Sequence, residues 1–196
     1  MALTKVQAEG INLADTFAYT GTVTGTQGLV KLSSTTVSSA AASVGVTGMS
    51  LTYDFYQCHF TLTPATDNVN VFTRFFDSSG TQINSSAYGG GLSNEAGDEL
   101  INTNSANTME IGSGVGSDTN ESISGILFVG PANSTTHQCG LFGHTAYTHN
   151  SAGNPVSTTV KYSFLKGNMQ AISGVRFACS SGNIEAGTFT LYGVTK

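Results

Sequence analysis

The chain has no Trp, three Pro, three Cys and seven Lys plus Arg among its 196 residues. Each shortage excludes something. After Arg74 no basic residue occurs until Lys161, while Glu95, Asp98, Glu99, Glu110, Asp118 and Glu121 all fall between them. Binding to duplex nucleic acid needs a basic stripe that displaces counterions, and a chain of net charge -5 has none. No stretch approaches the roughly 20 consecutive apolar residues of a membrane-spanning helix. No basic segment followed by an apolar one marks a secretory signal, so synthesis in a cytoplasm is expected. Cys58, Cys139 and Cys179 are an odd number for a disulfide framework. Each sits in a strand-like context, where a free Cys serves as a small buried hydrophobe.

What is abundant is small and polar. Gly, Ser and Thr fill 74 positions (24, 23 and 27), and charged residues are 10% of the chain. Leu, Lys and Glu are too few for long helices. β-Branched and aromatic residues between Gly, Ser and Asn turns predict an all-β fold. A hydrophobic content of 39% supports a core.

Three regions follow. Residues 1–31 open with Glu9-Gly-Ile-Asn-Leu-Ala-Asp-Thr-Phe-Ala-Tyr-Thr-Gly-Thr-Val23, whose Ile11, Leu13, Phe17, Tyr19 and Val23 need something to bury against. This predicts a docking or oligomerisation arm. Residues 32–48 are small and uncharged, and predict a tight extended connector. Residues 49–196 carry the strand signals. Tyr53, Phe55, Cys58, Phe60 and Leu62 nearly alternate, with a phase slip at Tyr56 and Gln57 that predicts a bulge. Pro64 to Asn68 is turn chemistry, so residues 69–76 are expected to pair with the preceding strand as a hairpin. Residues 89–120 predict a long loop with one short strand at 108–111. Strands are expected at 122–129, 138–144, 157–164, 174–179 and 187–193, with a helical turn at 170–172. Ser180 to Asn183 signals a second hairpin, in which Phe189 and Leu191 face one way and Thr188, Thr190 and Tyr192 the other. About eight strands at this spacing predict an antiparallel β-sandwich.

Catalytic signatures are weak. His137, Cys139, His144 and His149, with Cys58 and His59, are zinc-ligand types. On a straight strand, however, His137 and Cys139 share a face that His144 does not, and no metal site is assigned. No acid stands near a Cys/His pair to orient it. Gly112-Ser-Gly-Val-Gly116 lacks the strand-to-helix setting of a nucleophile elbow or a phosphate loop. No catalytic residues or cofactors are assigned. The acidic run from Glu95 to Glu121 leaves a Ca²⁺ site open against a merely solvating loop. Tyr88, Phe142 and Tyr147 read as loop aromatics that could stack on sugar rings.

Two motifs carry a resemblance. The opening Glu9 to Gly25 is similar to segments of structural proteins of tailed bacteriophages, of the kind associated with marine and cyanobacterial hosts. The ending Ser181-Gly-Asn-Ile-Glu-Ala-Gly-Thr-Phe-Thr-Leu-Tyr-Gly-Val194 looks like the end of jelly-roll domains in those proteins. The Tyr53–Pro64 strand fits the same pattern. The resemblance implies a jelly-roll-like sandwich behind an extended N-terminal arm. It also implies a virion role without catalysis, as a fibre or capsid-decorating subunit, commonly a homotrimer beside other virion proteins. A host-glycan-binding module on a fibre tip is the alternative.

Overall fold

The structure is a computed structural model that describes residues 28–50, 52–94, 99–132, 134–135, 137–150, 154–165 and 168–194. The predicted arm residues Ile11, Leu13, Phe17, Tyr19 and Val23 lie outside the described residues. Those described form an all-β fold of twelve strands and no helix. The expected helical turn at 170–172 is absent, because Ile172 begins a strand.

The strands are β1 (Leu29–Val37), β2 (Val44–Thr47), β3 (Phe55–Pro64), β4 (Val69–Asp77), β5 (Tyr88–Asn94) and β6 (Glu99–Ala106). They continue as β7 (Met109–Val115), β8 (Ile123–Gly130), β9 (Gly140–His149), β10 (Asn154–Phe164), β11 (Ile172–Cys179) and β12 (Ile184–Val194). All pairings are antiparallel. A wide layer runs β1-β12-β3-β8-β9 and continues through β10, β5 and β6. The facing layer runs β7-β4-β11-β2. The two join at one end through the single pair Val115 and His149. At the other end β1 and β2 approach, and Ser33 Oγ donates to Thr47 O (3.2 Å). The sheet is thus nearly closed on itself.

Residues 32–48 are therefore structural strands rather than a connector. They supply most of β1, paired along β12, and all of β2, paired with β11. The stretch 89–120 is likewise three strands, β5 to β7, in place of the expected loop.

Strict alternation builds the core. In β3, Tyr56, Cys58, Phe60 and Leu62 are buried, and Phe55 faces out. The predicted bulge is absent, since β3 keeps continuous register against β8. The phase slip is an outward Phe55 next to an inward Tyr56. In β12, Phe189 and Leu191 are fully buried while Thr190 and Tyr192 lie on the other face, as the pattern predicts. Two aromatic clusters fill the space between layers. Phe60, Phe177 and Phe189 meet with centroids 4.9 to 6.3 Å apart. Phe75, Tyr88 and Phe164 meet at 5.3 to 5.8 Å. Each such ring contributes about 1.5–3 kcal/mol by leaving water.

Neither expected hairpin forms. β3 pairs with β12 and β8, and β4 pairs with β11 and β7, so residues 65–68 carry the chain from one layer to the other. β11 and β12 are likewise in different layers, each flanked by a strand on both sides. Inward-facing residues on both sides of each turn satisfy this crossing as well as they would a hairpin.

Candidate functional site: the outer face of the wide layer

The outward positions of β12, β3, β8, β9 and β10 form cross-strand rows. One row runs Thr190, His59, Ile126, His144, Thr159. The next runs Tyr192, Gln57, Phe128, Phe142, Lys161. Alternation forces this composition outward: the inward mates are Leu127, Val129, Leu141 and Val160, all fully buried. With the core already filled, Ile126 and Phe142 stay 41% and 45% exposed. Phe128 and Phe142 stack at 5.3 Å. The rings of His59 and Tyr192 lie 5.0 Å apart. Phe55, at the end of the same face, is also exposed.

Open depressions flank Ile126. One is lined by His59, Thr61, Ser124, Thr188 and Thr190, the other by Phe128, His144, Ala146 and Ser157. These walls supply apolar surface, hydroxyls and two imidazoles. Such a face can bury apolar area against a partner and satisfy its polar rim by hydrogen bonds.

Of the three aromatics read as ligand-facing, Phe142 alone is exposed. Tyr88 starts β5 and is fully buried, its hydroxyl accepting from Phe75 N (3.1 Å) and donating to Ile83 O (3.3 Å). Tyr147 is buried in β9, and its hydroxyl accepts from Ser113 N (3.3 Å). Both are core residues because their strands alternate inward there, which the Gly- and Asn-rich surroundings conceal. Sequence reasoning missed Ile126 and Phe128, which sit in the unbroken apolar run Ile126 to Val129, and placed Phe55 within an alternating strand without its outward side.

No family model, no curated protein and no solved structure matches this chain.

The metal-ligand types are scattered. Cys58, Cys139 and Cys179 are free and buried. Burial pushes the thiols of Cys58 and Cys139 up to about 12 and that of Cys179 to about 11. A thiol held protonated is a poor nucleophile and a poor ligand. His137 precedes β9, with Nδ1 3.1 Å from Ser134 Oγ, while His144 faces out of the sheet. Glu121 accepts from Asp118 N (2.9 Å) and closes its own turn. Glu95 and Asp98 lie outside the described residues. Among the described residues no group of three or more His, Cys, Asp or Glu could hold a metal ion. Nor is any described helix long and apolar enough to cross a membrane.

Proposed function

We propose that this chain is a structural subunit of a tailed-phage virion, a non-enzymatic fibre or capsid-decorating protein that assembles as a homotrimer and with other virion proteins. The observation that carries this reading is the outward apolar strip of Ile126, Phe128 and Phe142 at the middle of the widest layer. The core is complete without these residues. Patches of this kind on an otherwise hydroxyl-rich surface mark contact with another macromolecule. Burying a few hundred Å² of it at about 25 cal/mol per Å² contributes several kcal/mol per subunit. Strands at the ends of the layers, β1 and β2, can join sheets between chains by edge pairing. In this reading the arm at residues 11–23 docks on neighbouring virion proteins. The trimeric state and the virion location rest on the resemblance of the two ends of the chain.

The strand order supports the finer architecture as well. Leaving out the pairs β5–β6 and β9–β10, the remaining eight strands pair first with last (β1–β12), second with seventh (β2–β11), third with sixth (β3–β8) and fourth with fifth (β4–β7). We read this nesting as one long hairpin wound around a core, as in a jelly roll. The two extra strand pairs widen the layer that carries the apolar strip.

The test is assembly. The wild-type chain is expected to be trimeric by light scattering and to enter particles. An Ile126→Asp/Phe142→Asp variant is expected to remain folded but monomeric. A wild-type chain that stays monomeric and is excluded from particles would sink the reading. Glycan recognition at a fibre tip is favoured by one observation, the exposed ring of Phe142 beside Lys161. Binding of neutral sugars on a glycan array, lost in Phe142→Ala, would decide for it.

A further inference from the structure

The chain has two arginines, Arg74 and Arg176. They are register partners on β4 and β11, on the outside of the narrower layer. Like charges directly opposite each other in a sheet are destabilising, so this placement calls for a counter-charge. Among the described residues the protein offers none. Arg74 Nε donates to Asn107 O (2.9 Å), and its guanidinium lies 5.1 Å from the centre of the Phe72 ring. Arg176 Nη1 donates to Gln82 Oε1. Both acceptors are neutral.

Gln82 and Asn107 both lie beyond the edge of β4 opposite to β11. Gln82 bridges to Phe76, and the β7 partner of Thr73 is Met109, next in line after Asn107 and Thr108. The Arg176 and Gln82 side chains therefore meet over the outer face of β4, the strand that carries Arg74. The fields of the two heads interact: the Arg176 pKa is lowered by burial first and by the Arg74 charge second. The walls around them are amides and a hydroxyl. Gln82 Nε2 donates to Asn84 Oδ1, and Ser86 Oγ donates to Asn107 Oδ1 (3.1 Å). Two described acids, one on β4 and one on its neighbour β7, are engaged elsewhere. Glu110, opposite Phe72, accepts from Asn70 Nδ2 (3.0 Å). Asp77 accepts from Ser79 N, Ser79 Oγ and Thr81 N within its own turn (2.8, 2.6 and 2.9 Å).

We propose that Arg74 and Arg176 together bind an oxyanion, the carboxylate or sulfate group of a small acidic ligand. Both terminal nitrogens of Arg74, with Nε and Nη2 of Arg176, have no acceptor among the described residues. Planar guanidinium forks match the two oxygens of such a group by charge-assisted hydrogen bonds. The bound charge offsets the repulsion across the strand pair. This site is separate from the apolar strip and does not depend on assembly.

With two arginines, the side-chain Nε–Hε region of a ¹H–¹⁵N spectrum holds two resonances. Titrating sulfate, and separately glucuronate, at constant ionic strength is expected to shift both in the full chain, with glucose as the neutral control. Losing one charge-assisted contact weakens binding about tenfold or more. Arg74→Gln and Arg176→Gln, each checked for an unchanged amide spectrum, are therefore expected to weaken both anions by at least that factor. Arg resonances that stay fixed in both titrations would overturn the proposal. So would equal binding by the variants. If the anions are without effect and either variant breaks up an oligomer seen by light scattering, a second copy's carboxylate is the true partner and the small-ligand site is wrong.

Discussion

Phe128 on β8 and Phe142 on β9 stack outside the sheet, their centroids 5.3 Å apart and their planes within 12° of parallel. Their inward neighbours Leu127 and Leu141 are fully buried, so the stack is a surface feature rather than an overflow of the core. Such a pair contributes about 0.5–1.5 kcal/mol beyond area burial. Phe142→Ala is expected to cost about 1 kcal/mol in chemical denaturation of the isolated chain and to weaken self-association far more. Phe177→Ala, inside the cluster with Phe60 and Phe189, is expected to cost about 3–5 kcal/mol. Equal costs for the two would show that the strip is part of the fold and not an interface.

Tyr56 ties the approach to β3 to the core. It is fully buried, and its hydroxyl donates to Ser50 O (2.5 Å) while accepting from Ser50 N (2.7 Å). Tyr56→Phe keeps the packing but removes both hydrogen bonds to the exposed backbone of Ser50, at a cost of about 0.5–1.5 kcal/mol for each. Urea unfolding measures it. Amide exchange at Ser50 should rise at the same time, and unchanged protection there would mean the clamp is not formed.

How much of this was legible in the sequence depended on range. Alternation in β3 and β12 identified both strands, and for β12 it also identified which side faces in. The turns at Pro64–Asn68 and Ser180–Asn183 were visible as turns, but turn chemistry says nothing about whether the flanking strands pair with each other. Their partners are chosen by the long-range winding of the whole chain. β5 was hidden because its glycines look like loop residues. At Gly90, φ is +140° and an added Cβ would lie 2.0 Å from Lys161 O, so glycine is required by the close approach of β10. That glycine run disguised Tyr88 as a loop aromatic. The facing of Arg74 and Arg176 joins positions distant in sequence, and no local pattern announces it.

Thr145 and Thr158 form a buried pair on β9 and β10, with Oγ1 atoms 2.6 Å apart. Thr145 Oγ1 also donates to Ile111 O (2.7 Å), so Thr158 supplies the proton between them. Thr145→Val leaves the Thr158 hydroxyl and the Ile111 carbonyl short of a partner, at about 1–3 kcal/mol. The double variant Thr145→Val/Thr158→Val removes both hydroxyls and is expected to cost less than the two single changes added together. Strict additivity in the cycle would mean the hydroxyls are not coupled.

Glu110 provides a pH test with a definite sign. Burial raises its pKa, and the hydrogen bond from Asn70 opposes that rise without cancelling it. The folded state therefore holds this proton more tightly than the unfolded chain does. Its contribution to stability is fully present below the ordinary carboxylate pKa of about 4.3 and is lost as pH rises through the elevated folded value. Above that range the ionised, half-buried carboxylate is a burden. Glu110→Gln keeps an oxygen for Asn70 and carries no charge, so it is expected to melt higher than the wild type at pH 7. The gap should narrow on acidification and close below about pH 4, where the wild-type side chain is neutral in both states. Melting curves of the two proteins across that range decide the matter. A variant less stable than wild type at pH 7 would mean that the Asn70 hydrogen bond to the charged form outweighs burial at this position.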